Sequence, residues 1–337
     1  MKQNSETKEL LDLSRVHFSD IIRKSDDIQN LCEDFMVKNV TSDNFRFNEE
    51  AGISYVSESG VRRPQISRFA LGQLCAKIGV PANYIDSCVA SGRIDLAQDN
   101  INSWLDDYKK SLFIREYNGE IRGVLTERYS VCDTPYILKG IEDVLPVDDY
   151  IIEGHYLDPS FTHVRMVSKK MLPIDNEDLY AGISVDTSDV GRSNLQVNFF
   201  IYKKVCTNGL VVPKRLGQLF KQKHIGISSE DFRMGLKESL ILIPKIQENV
   251  IEAINNTVDS SLERMFKSSE NLETLINDIR QRTKLSEDSA NKVIDLMQTT
   301  YAKNRWGLIN SITQVAQDFT LARRLELERI AGDMLVA

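Results

Sequence analysis

Two hydrophobic periods divide this chain. Between Ser111 and Tyr202 apolar residues alternate in several short runs, whereas from Ser229 onward they recur every three or four positions. Alternation offers one face of a pleated strand and the longer period offers one stripe of a helix, so neither segment can take the other's role. The middle reads strand, strand, helix, strands, helix. That order points to an α+β fold rather than a doubly wound one. The expectation is an antiparallel sheet core with flanking helices and a mainly helical C-terminal region. Three regions follow: 1–110, mixed and mainly helical; 111–228, the sheet domain; and 229–337, helical.

Local signals fill in this frame. Ser25-Asp26-Asp27 precedes Ile28, Leu31, Phe35 and Met36 and reads as a capped helix. Phe45, Phe47, Ile53 and Tyr55 suggest short strands. Ser67 to Ile78 has a helical period that Gly79 ends, and Pro81 opens the next turn. Asp86 to Lys110 is mostly helical. Asn118-Gly119 between two alternating runs is a hairpin signal, with Tyr129 to Cys132 extending the second arm. A helix over Thr134 to Asp143 has Pro135 in its first turn. Strand pairs follow at 155–157 with 162–167, and at 180–186 with 195–202. Pro213 opens a short helical stretch through Leu219 and Phe220. The helical part begins with about 30 residues from Ser229, continues over Leu272 to Ile279 and from Leu285 to Tyr301, and closes with Gly307 to Leu335.

Charge is uneven. Val190 to Ser229 holds seven Lys or Arg and no acid, in a protein of 49 acids and 42 bases, so the remainder carries a net −14. A positive field inside an acidic chain suggests a specific anionic partner. Phe199, Phe200 and Tyr202 interleave with Lys203 and Lys204, and Gln196, Asn198 and Phe200 share one strand face. Aromatics stack on unpaired bases while lysines hold the backbone. At least one aromatic set is expected to be accessible. The candidate nucleic-acid-binding residues are Arg192, Tyr202, Lys203, Lys204, Lys214, Arg215, Lys221 and Lys223.

Catalytic signatures are missing. The chain has no GxGxxG, no GxxxxGK[ST], no HExxH and no GxSxG. His155 and His163 with Asp158 fall short of a metal set. Five widely spaced cysteines read as reduced thiols. No cofactor, metal or catalytic residue is assigned. The polar opening stretch and the absence of a long apolar run point away from the membrane and toward the cytoplasm.

Gly123-Val-Leu-Thr-Glu-Arg-Tyr129 and Tyr202-Lys-Lys-Val-Cys-Thr-Asn-Gly-Leu210 resemble a family of uncharacterised phage and plasmid proteins, domain of unknown function 932. The resemblance runs from about residue 65 to the helical end and includes Trp306 to Thr313. It implies a mobile-element origin, and for a phage protein the host cytoplasm. The element order is also loosely similar to that of single-strand annealing proteins. The resulting expectation is an oligomeric, non-enzymatic protein that binds nucleic acid, above all single-stranded DNA, in recombination or replication. The alternatives are a factor that binds a host protein and interferes with a defence system, and a virion-associated structural protein. An enzyme with an unrecognised site is the third class.

Overall fold

The computed structural model describes residues 16–57, 60–174, 178–203, 208–211, 218–258 and 272–335. It is an α+β fold with antiparallel-dominated sheets. Helix α1 (Phe18–Gln29) leads into β1 (Cys32–Val37), and a small antiparallel sheet follows, β2 (Phe45–Phe47), β3 (Ile53–Ser57) and β4 (Gly60–Arg62). After β5 (Gln65–Ile66) come α2 (Arg68–Ile78), α3 (Ala82–Ala90) and α4 (Ile94–Tyr108). The Ser67 hydroxyl accepts from the Ala70 N–H at 3.2 Å to open α2, and Gly79 closes it at φ 84°. The hairpin β6 (Leu112–Tyr117) and β7 (Glu120–Thr126) turns at Asn118 (φ 48°) and Gly119 (φ 80°), both left-handed as a primed turn needs.

The first sheet has the order β1-β6-β7-β5. Strand β6 pairs with β1 across the boundary expected at residue 110, from Cys32 opposite Tyr117 to Val37 opposite Leu112. The helix expected after Ser25 ends there instead. Cross-strand partners such as Phe35 and Ile114 favour extended chain over the local helical pattern. Its core holds Phe45, Phe47, Leu74, Ile101 and Ile114.

Helix α5 (Thr134–Glu142) links to the second sheet, β8 (Tyr150–Leu157), β9 (Thr162–Met171), β10 (Leu179–Thr187), β11 (Leu195–Lys203), β12 (Asn208–Val211) and β13 (Gln218–Gln222). The order is β12-β11-β10-β9-β8, and β13 pairs with the first half of β11. Leu219 and Phe220 are thus strand residues, Phe220 opposite Val197, rather than the end of a helix. Residues 129–132 form no second hairpin arm; only the isolated bridge Tyr129–Ile225 is present. The inner face presents Val164, Met166, Ile183, Val185, Val197, Phe199 and Ile201, which join α1 and α5 in one large core.

The helical part is α6 (Ser229–Ile241), α7 (Ile243–Val258), α8 (Leu272–Thr283), α9 (Glu287–Thr299), α10 (Arg305–Val315) and α11 (Leu321–Asp333). The long helix expected from Ser229 divides at Leu242, and Pro244 lies in the first turn of α7, where its missing N–H is tolerated. The last expected helix is likewise interrupted by a 3-10 turn at Ala316–Asp318. Helices α10 and α11 lie against β12 of the same chain. Among the described residues no helix is long and apolar enough to cross a membrane.

Candidate nucleic-acid interface

The outer face of the second sheet is graded from open to closed. Register places Tyr156, His163, Asp186, Gln196 and Lys221 in one row across β8, β9, β10, β11 and β13. Five strands spaced by about 4.8 Å make this row roughly 19 Å long. The next row holds Gly154, Arg165, Ser184 and Asn198. Tyr156 is 47% exposed, Lys221 is exposed, and Asp186, Gln196 and Asn198 are half-buried. His163 is buried and its Nδ1 lies 2.6 Å from Asp186 Oδ1. His155 pairs with Val164 and so shares the opposite face of the sheet from His163, which keeps the two imidazoles apart.

The other half of this face is covered. Ile151, Val167, Tyr180, Phe200 and Tyr202 form a small buried cluster there. The Phe200 ring lies over Gly182, where a Cβ would come within 2.3 Å of it. The Arg165 guanidinium sits 4.2 Å from the Phe200 centroid and pairs with Glu153 at 3.0 Å and with Glu328 of α11 at 3.1 Å. Arg324 adds a 2.8 Å pair to Glu328.

The basic window divides between these two halves. Arg192 is exposed at the open end, with Nη1 3.4 Å from Ser160 Oγ and its guanidinium 6.0 Å from the Phe161 centroid. Lys221 stands opposite Gln196, and the exposed Lys223 follows β13 by one residue. Lys203 is at the far end of β11, eight residues and about 26 Å from Leu195. Its Nζ lies 5.3 Å from the Tyr301 centroid. Lys204, Lys214 and Arg215 lie outside the described residues, as does Cys206. Among the described cations of the window, Lys203 stands apart from Arg192 and Lys221. Tyr202 also departs from expectation: at 2% exposure it has no surface for a base, and Phe199 and Phe200 are equally enclosed. Alternation assigned its face correctly, but the helices that close that half come from residues about a hundred positions later.

Among the described residues, the accessible aromatics beside this row are Tyr156 and, half-buried, Phe161. Sequence reasoning missed them because they flank a turn outside the basic window. The Tyr156-Leu-Asp-Pro-Ser-Phe161 spacing, two aromatics bracketing Asp-Pro-Ser, was the available signal. Asp158 builds that turn: its Oδ1 accepts from the Ser160 and Phe161 N–H groups at 2.6 and 2.8 Å, and its Oδ2 from the Tyr156 hydroxyl at 2.5 Å. Burial raises its pKa, yet the hydrogen bonds from Tyr156 and Ser160 outweigh it and hold the carboxyl below its ordinary value.

A buried ionic network fixes the open end to the first sheet. Arg115, fully buried, forks onto Asp34 at 2.9 and 3.0 Å and reaches Asp133 and the Asp189 carbonyl, each at 2.7 Å. Arg122 donates to the Pro159 carbonyl at 2.5 Å. Asp189 accepts from the Thr134 N–H and hydroxyl at 3.0 and 2.9 Å. Burial, then Asp133, pushes the Asp189 carboxyl up to about 6 against the opposing pull of Arg122 and Arg115. Burial also pushes Cys32 up to about 11 and Cys132 up to about 12, so neither is an activated thiol. No family model, no curated protein and no solved structure matches this chain.

Proposed function

We propose that the chain binds single-stranded nucleic acid across the open half of the second sheet. The observation that carries this reading is the single polar row, Tyr156 to Lys221, flanked by Phe161 and by the cations Arg192 and Lys223. Exposed aromatic rings offer stacking surfaces, Gln196 and Asn198 offer donors and acceptors to base edges, and Arg192, Lys221 and Lys223 meet phosphates. None of these three cations is in an ion pair among the described residues, so binding need not break one. The Arg122–Pro159 and Arg115–Asp189 bonds hold the loops that edge the row. The resemblance at 123–129 and 202–210 adds a phage or plasmid origin to the proposal, with a role in recombination or replication and assembly of several copies along a strand. A binding titration over single-stranded DNA, duplex DNA and RNA at two salt concentrations tests it. Salt-sensitive binding to a single strand supports the reading. Binding to none of the three refutes it.

A further inference from the structure

A second basic surface lies outside the sheet row and outside the acid-free window. Lys109 and Lys110, which follow α4, and Arg128, which follows β7, line a groove of about 640 Å³. That volume is in the range of small-molecule sites. Asn39, Tyr108 and Ile225 complete its walls. Lys109, Lys110 and Arg128 are exposed, and among the described residues none of them is in an ion pair. Glu127 is the one carboxylate on the lining.

The walls are set by backbone contacts rather than by the side chains that would touch a ligand. Lys109 N–H donates to the Val40 carbonyl at 3.2 Å and Val40 N–H to the Lys110 carbonyl at 3.0 Å. Lys109 is held left-handed, at φ 50°, and Asn39 at φ 47°. On the other side the Gly226 N–H donates to the Arg128 carbonyl at 3.3 Å, beside the Tyr129–Ile225 bridge. Ile225 is 54% exposed although it follows the buried His224, so the groove offers an apolar wall next to three cations. Tyr108 adds an aromatic ring, with Lys110 Nζ 5.8 Å from its centroid.

We infer that this groove binds a nucleoside phosphate. Lys109, Lys110 and Arg128 would hold the phosphate, Ile225 and Tyr108 would pack the base, and Glu127 would accept from a sugar hydroxyl. A single cation attracts any anion; three cations beside an apolar wall and an acceptor select an anion that carries an apolar ring and hydroxyls. The same chemistry is offered by a free nucleotide and by the phosphorylated end of a strand. The inference does not depend on the sheet reading, because it shares no residue with that row.

Calorimetry on the full chain tests it with adenosine 5′-monophosphate, adenosine and inorganic phosphate as probes. The nucleotide is expected to bind at least about tenfold more tightly than either fragment, and Lys109→Glu/Lys110→Glu or Arg128→Gln to weaken it by about tenfold or more. Lys303→Glu, on the exposed turn between α9 and α10, should leave it unchanged. Every substituted position is exposed, and unaltered thermal midpoints confirm that the variants fold. The inference is overturned if the nucleotide does not bind, if phosphate alone binds as well, or if both groove variants bind like the parent. Stronger binding of a 5′-phosphorylated oligonucleotide than of its 5′-hydroxyl form, lost in Arg128→Gln, assigns the groove to strand ends. Equal binding of the two, with the mononucleotide still bound, assigns it to the free nucleotide. Mononucleotide binding without any oligonucleotide binding refutes only the sheet proposal.

Discussion

The salt dependence of binding can be worked from the cations at the open end. On the proposed function, three of them, the exposed Arg192, Lys221 and Lys223, would neutralise phosphates. For a single strand, log K falls with log salt at a slope of about −0.7 per neutralised phosphate, so three contacts give about −2. Raising salt from about 50 to about 200 mM should then weaken binding by roughly 18-fold. Arg192→Glu/Lys221→Glu leaves one contact, a slope of about −0.7 and a loss of only about threefold over the same range. It also lowers affinity at low salt, because two repulsive charges replace two attractive ones. Lys203→Glu is the control: Lys203 stands at the closed end beside Tyr301, so the slope should stay near −2. Fluorescence anisotropy of a labelled oligonucleotide over a salt series measures all three proteins. If Lys203→Glu flattens the slope while the double variant does not, the strand tracks the closed end and the present assignment of the surface is refuted.

Other expectations concern the frame that holds this surface. Gly182→Ala should destabilise the fold by about 1–3 kcal/mol in urea denaturation, because a Cβ there meets the Phe200 ring at 2.3 Å, and Phe200→Leu in the same chain should recover part of the loss. Arg115→Leu should cost about 1–3 kcal/mol, since it takes the buried partner from the half-buried Asp133 and the more exposed Asp34 and leaves the Asp189 carbonyl without its donor; no measurable loss would show that the network is dispensable. Burial lowers the pKa of His224, which stacks on Tyr129 at 5.6 Å, so the unfolded chain binds its proton first and stability falls as pH drops below about 6.5. Asp189 acts the other way: its carboxyl is raised to about 6, so the folded chain holds that proton more tightly and stability falls as pH rises through 6. His224→Phe should flatten the acid-side fall in thermal midpoint between about pH 7 and pH 5.5 while leaving the Asp189 contribution in place.

The parts of the fold that were legible in the sequence are those specified by neighbours in the chain. Asn118-Gly119 can hardly be anything but a tight turn, and Gly79 with Pro81 ends one helix and starts the next. The alternation of Leu195 to Tyr202 assigned both faces of β11 correctly. Readings failed where a distant partner decided the outcome. Cys32–Val37 is a strand because β6 lies beside it, and Gln218–Gln222 is a strand because β11 does. The functional reading fared the same way. Lys203 and Lys221 are close in sequence and share the acid-free window, yet β11 runs away from one and β13 returns toward the other end of the strand. The partners of Arg192 near Ser160 and Phe161 lie some thirty positions earlier, which no local pattern reveals.

The graded sheet face follows from where the C-terminal helices sit. A six-stranded sheet has two faces, and the inner one is fully used by the core under α1 and α5. Helix α11 covers part of the second face, and Arg165 on that face meets Glu328 as a buried charge pair rather than an apolar contact. Burying charge is a poor route to stability, because removing two ions from water offsets most of their attraction. What the charges do supply is register: Glu328 of α11 meets Arg165 of β9, and Arg324 of α11 meets Glu153 of β8 at 3.4 Å, so two contacts set the position of α11 along the sheet. A helix fixed in this way leaves the row from Tyr156 to Lys221 uncovered in every copy of the protein. Without these charge contacts the position of α11 would rest on apolar packing alone. On this reasoning the Arg165→Met/Glu328→Leu variant, which removes both buried charges and leaves Arg324 paired with Glu153, keeps much of its stability but loses the defined boundary of the open face, and its oligonucleotide affinity falls although no residue of the row has changed.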